Sequence, residues 1–144
     1  MGGKRNGHLY IIEGDLTPMV RSDMNKKRIW DFTTAFRVNN HLSLQKQHGE
    51  HDRLEGPLHV ECTFYLPFQG SYYKTHQYHG KYHLTRPHLS GLLIFVETVG
   101  VDIIFNSSSH IASADAKKIY YSDRPRVEFK LWEVKQKPKE SNDI

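Results

Sequence analysis

Apolar residues fall along this chain in short blocks, and the spacing inside each block predicts its element. Leu9-Tyr-Ile-Ile-Glu is an apolar run closed by Gly14 and by the turn residues of Asp15-Leu-Thr-Pro18, which predicts a strand. From about Thr34 to His48 the apolar positions Phe36, Leu42 and Leu44 are sparse among amide and basic residues, and a weakly patterned helix is expected there. Val60, Cys62, Phe64 and Leu66 alternate with His59, Glu61, Thr63 and Tyr65, the period-two pattern of a strand with one buried face, and Pro67 ends it.

Leu89, Leu92, Leu93, Val96 and Val99 recur at the spacing of one helical face, starting just after Pro87 and stopping near Gly100. A short apolar run over 101–105 and the turn-like Asn106-Ser-Ser-Ser follow. Ile111 to Tyr121 reads as a strand. After Ser122-Asp-Arg-Pro125, Val127, Phe129 and Leu131 alternate with Arg126, Glu128 and Lys130 as another, and the two are expected to pair as a hairpin. The order strand, helix, strand, helix, strand, strand predicts an α+β domain, a small mixed sheet with helices packed on one face. Residues 1–7 and 135–144 are expected to be flexible tails around a domain spanning 8–134.

A length of 144 residues allows one such core, and an apolar fraction of 38% is enough to build it. No apolar run approaches the roughly 18 residues of a membrane helix, and the opening Met1-Gly-Gly-Lys-Arg-Asn lacks a secretory signal pattern. The expectation is an intracellular protein, cytoplasmic or nucleoid-associated. Cys62 is the single cysteine, which excludes an internal disulfide and a thiolate zinc site.

The net charge of +4 is unremarkable, but its placement is not. Between Cys62 and Val96 there is no Asp or Glu, while Lys74, Lys81, Arg86, His76, His79, His83 and His88 fall inside that stretch with Tyr72, Tyr73, Tyr78 and Tyr82 interleaved. Cationic groups release counterions from a phosphate backbone and aromatic rings stack on bases, so the stretch is a candidate nucleic-acid surface; a merely solvated charged face is the competing reading. The four histidines also have the softness for zinc or copper, but no thiolate or carboxylate lies beside them in sequence. Neither a nucleophile elbow nor a glycine-rich phosphate loop occurs.

Arg86-Pro-His-Leu-Ser-Gly-Leu-Leu-Ile94, Ile104-Phe-Asn-Ser-Ser-Ser-His-Ile111, Ala116-Lys-Lys-Ile-Tyr120 and Pro125-Arg-Val-Glu-Phe129 follow one another in a frame that resembles the RusA family of Holliday-junction endonucleases. Gly14-Asp-Leu-Thr-Pro18-Met-Val-Arg21 and Gly56-Pro-Leu58 are similar to the family's earlier segments. The resemblance implies a RusA-like fold, a homodimer and branched DNA as partner. It also implies Mg²⁺-dependent cleavage by acidic residues, and here those positions are degenerate. His88 and Ser90 stand at the two Asp positions of the family motif, Ser107 and Ser108 at its Asp-Asp pair, and Ile94 at its helical Lys. Ser and neutral His cannot supply the anionic oxygens that Mg²⁺ prefers.

The expectation is therefore a catalytically inactive RusA-like protein that holds DNA phosphates through Arg21, Lys74, Lys81, Arg86, Lys117 and Lys118 and needs no cofactor. The alternatives are a pseudoenzyme that binds a protein partner and an active endonuclease whose Mg²⁺ ligands have moved to Glu97 and Asp102.

Overall fold

The computed structural model describes residues 7–15, 39–67, 78–85, 87–121 and 123–135. Strand β1 (His8–Glu13) is followed by helix α1, described over residues 39–48, and by β2 (Leu58–Leu66). Helix α2 (Leu89–Val99) leads through a 3-10 turn (Ser108–His110) into β3 (Ile111–Tyr120), and β4 (Arg126–Glu133) closes the domain. The α+β architecture with a mixed four-stranded sheet is as the patterning predicts, whereas residues 34–38 of the first expected helix lie outside the described residues.

The strand order is β1-β4-β2-β3, with β4 antiparallel to both β1 and β2, and β3 parallel to β2. The expected hairpin of the last two strands does not form, because β2 lies between them. The reason is visible in the burial. Along β2 every core-facing residue, Leu58, Val60, Cys62, Phe64 and Leu66, is buried, so this strand gains most from neighbours on both edges, while β3 is exposed from Ala112 to Asp115 and suits an edge. A parallel β2–β3 pair needs a crossover, and α2 supplies it.

One face of the sheet is closed. Tyr10 and Ile12 of β1, Val127, Phe129 and Leu131 of β4 and the buried residues of β2 meet Leu44 of α1 and Leu92, Val96 and Val99 of α2 in one core. The Tyr10 ring stacks on Phe129 at 5.4 Å. His48 Nε2 donates to the Asp52 carbonyl at 3.1 Å, and Nδ1 accepts a hydrogen bond from the Tyr10 hydroxyl at 2.7 Å. Burial pushes the Tyr10 pKa up to about 12.

The edge of β1 is blocked by a side chain. The Gln47 amide donates to the Ile11 carbonyl and accepts from the Ile11 N–H, both at 2.8 Å, so α1 pairs with the edge as a neighbouring strand would. No helix among the described residues is long and apolar enough to cross a membrane.

Replacing Phe129 by Ala should destabilise the domain by about 3–5 kcal/mol, since both the transfer energy and the cavity are lost. Ile94→Ala, at a residue 59% exposed on α2, should change stability by less than about 0.5 kcal/mol. Urea denaturation of the two variants checks the assignment of the buried face.

Candidate functional site: the open face of the sheet

No element among the described residues covers the second face of the sheet. Its side chains are fixed by strand register: Leu9, Lys130, Glu61 and Asp115 form one row across the four strands, Ile11, Glu128, Thr63 and Lys117 the next, and Glu13, Arg126, Tyr65 and Ile119 a third. A groove of about 700 Å³ runs over the first two of these rows and is bounded by Tyr82.

The register of β3 depends on a bulge. Leu58 pairs with Ile111 but His59 pairs with Ser113, so Ala112 is an extra residue between them. A continuous register would have turned Ser113, Asp115 and Lys117 into the core and Ala116 outward; the bulge puts the polar set on the open face.

Near the C-terminal ends of β2 and β3 the face is aromatic and cationic. The Arg126 guanidinium lies 3.8 Å from the centre of the Tyr65 ring and 5.3 Å from that of Tyr121, and its Nε donates to Glu128 at 2.7 Å. His79 sits 4.2 Å from the Tyr121 ring. Residues 80–83 run antiparallel to the end of β3, with the Gly80 N–H on the Tyr120 carbonyl, the Tyr120 N–H on the Lys81 carbonyl and the His83 N–H on the Lys118 carbonyl. Tyr82 pairs with Ile119 and projects onto the open face with 69% of its surface exposed.

Two of the four acids in these rows, Glu13 and Glu128, are held by arginines, while Glu61 and Asp115 line the groove. Arg126 holds Glu128, and Arg124 hydrogen-bonds Glu13, which keeps that carboxyl below its ordinary range. Lys117 and Lys130 have no ion-pair partner among the described residues.

The residues expected to hold phosphate divide sharply. Lys117 is exposed on the open face and Lys81 on the flanking segment. Lys118 is on the other face, where its ammonium donates to the carbonyls of Thr85 at 2.8 Å and Pro87 at 2.7 Å and burial lowers its pKa; it anchors the chain entering α2 rather than facing a ligand. Arg21, Lys74 and Arg86 lie outside the described residues, as does His76.

The aligned family positions fall on two elements, the start of α2 and the 3-10 turn before β3. His88 precedes α2 without capping it, Ser90 is in its first turn, and Ile94 is exposed further along. The Lys118 anchor sets this end of α2 beside the C-terminal half of β3. Ser107 and Ser108 instead precede the first residue of β3, with the Ser107 hydroxyl accepting from the Ser109 N–H. Seven strand residues, about 23 Å, separate Ile111 from Lys118. Glu97 is half-buried on α2, and Asp102, at a positive φ of 67°, lies 3.8 Å from Arg53 in an exposed turn. Among the described residues no group of three or more His, Cys, Asp or Glu is placed to hold a metal ion.

Two groups in this region are removed from ordinary acid–base use. Burial pushes the Cys62 thiol up to about 12, with Asp115 and Glu61 adding to it, so no thiolate forms near neutral pH. His83 is buried against the Tyr120 ring at 4.5 Å, its Nδ1 without a hydrogen bond; burial first and the Lys118 charge second lower its pKa to about 4.

Comparison with protein-family models and with curated proteins finds no match to this chain.

The His83 environment predicts a pH effect on stability. Its folded pKa of about 4 lies below the ordinary 6.5, so between these values the unfolded chain binds more protons and stability falls as pH falls. The loss should be on the order of 1–3 kcal/mol near pH 4 and shrink in His83→Leu, measured by denaturation at pH 7 and pH 4.

Proposed function

We propose that this domain binds branched or otherwise structured DNA, in the manner of a RusA-like protein without metal-ion catalysis, and that the open face of the sheet is its binding surface. The observation that carries the proposal is the juxtaposition there of exposed Tyr82 and Lys117 with Arg126 seated on Tyr65 and Tyr121. Lysine ammonium groups on such a face neutralise phosphates, and an exposed tyrosine offers a plate for an unpaired base at a junction or fork. Pairing of Glu13 and Glu128 with arginines reduces the repulsion that carboxylates would exert on phosphate.

The binding reading rests on the surface chemistry of this face, and His88, Ser90, Ser107 and Ser108 carry no part of it. Lys81 adds charge at the flank of the same face, whereas Lys118 plays a structural part. A homodimer would present two such faces to the symmetry-related arms of a junction.

Binding to a labelled four-way junction and to a linear duplex, followed by fluorescence anisotropy over a range of salt, tests this. The junction should bind with an affinity that falls as salt rises, and Lys117→Ala should lower the slope of log affinity against log salt by about 1. Absence of binding to both DNAs, or binding indifferent to salt, contradicts the proposal.

A further inference from the structure

At the other end of the open face, three polar side chains on β2 and β3 are set in line. The Ser113 hydroxyl lies 2.6 Å from His59 Nδ1, and the Asp115 carboxylate lies 3.4 Å from His59 Nε2. Ser113 is exposed, while the His59 side chain is only 13% exposed because the Trp132 ring lies beside it at 4.6 Å. Nε2 itself is closed to solvent and has no hydrogen-bond partner, so the carboxylate is its nearest charged neighbour.

The arrangement depends on the bulge at Ala112, without which Ser113 would face the core. Beyond the bulge, the even-numbered residues of β3 turn their backbone groups away from β2, as the bonds of Lys118 and Tyr120 to residues 80–83 demonstrate. The N–H of Ala114, the residue after Ser113, therefore points from the outer edge of the sheet beside the serine.

We infer that Ser113 is a nucleophile for acyl transfer from small activated carboxylic esters, with His59 as its general base and Asp115 positioning the imidazole. A hydroxyl is a weak nucleophile until a neighbouring base takes its proton, and a carboxylate across the ring stabilises the resulting imidazolium. Ser113 Oγ attacks the ester carbonyl and its proton passes to Nδ1. The Ala114 N–H faces the developing oxyanion. Collapse breaks the bond to the alkoxide, which leaves with the proton from Nδ1, and a water activated by the same nitrogen then releases the acid and restores Ser113. The groove beginning at Asp115 is the place for the acyl group. Ser113 and His59 lie at the opposite end of the strands from Tyr65, Tyr121 and Arg126, while the groove itself is shared with Lys117 and Tyr82.

Diisopropyl fluorophosphate, whose phosphorus captures an activated serine oxygen with loss of fluoride, tests the inference on the full chain. Intact mass should show one adduct per chain, mapped by peptide sequencing to Ser113 and absent from Ser113→Ala. His59→Gln, with its fold verified by circular dichroism, should label at least about tenfold more slowly. Asp115→Asn should label more slowly, and Asp115→Glu, which keeps the carboxylate, should restore the rate. No adduct on the parent chain, an adduct elsewhere, or equal labelling of His59→Gln would overturn the assignment of Ser113 and His59, and an unchanged rate in Asp115→Asn, or no recovery in Asp115→Glu, would overturn that of Asp115.

Discussion

The structure depends on the burial of β2. Its inward side chains, from Leu58 to Leu66, are closed off by α1 and α2, and both its edges are hydrogen-bonded, to β4 on one side and β3 on the other. Everything else follows from the need to satisfy this strand on three sides at once. β4 must be antiparallel to it and β3 parallel, α2 must cross over the buried face to connect β2 with β3, and the chain entering α2 must be held at the top of β3, which the Lys118 ammonium does.

With one face occupied, chemistry is left to the other. The functional potential of the domain is thus a matter of register: which residues the pleat and the Ala112 bulge turn outward. The open face separates into an aromatic and cationic end around Arg126 and a Ser113–His59–Asp115 end beneath Trp132, with Glu61, Lys117 and Lys130 between them. Residues adjacent in sequence act differently for the same reason, Lys117 facing solvent and Lys118 tied to two carbonyls.

Much of the fold was legible because its signals are local. The strict alternation of β2 and β4 and the helical spacing from Leu89 to Val99 survive folding unchanged. Strand order was not legible, since adjacency in sequence favours a β3–β4 hairpin and only the comparison of buried area between β2 and β3 decides against it. The site was less legible still. Histidines read together as a charged stretch have separate fates, with His83 buried and His79 tilted against the Tyr121 ring, and the serines of the aligned block sit in the turn before β3. His59 and Ser113 are 54 residues apart, and the one signal for their meeting was that His59 occupies an outward position of an alternating strand. No spacing rule reveals a bulge that moves Ser113 beside it.

The central claim is that function resides on the open face while the helical face is structural. Its most direct measurement is a two-dimensional amide NMR titration of the labelled protein with four-way junction DNA. The account predicts that the resonances of Tyr82, Lys117, Ile119 and Arg126 shift together as DNA is added, while those of Leu92, Val96 and Ser107 stay in place. Shifts concentrated at His88, Ser90 and the turn from Ser107 to His110, with the open face unmoved, would contradict it.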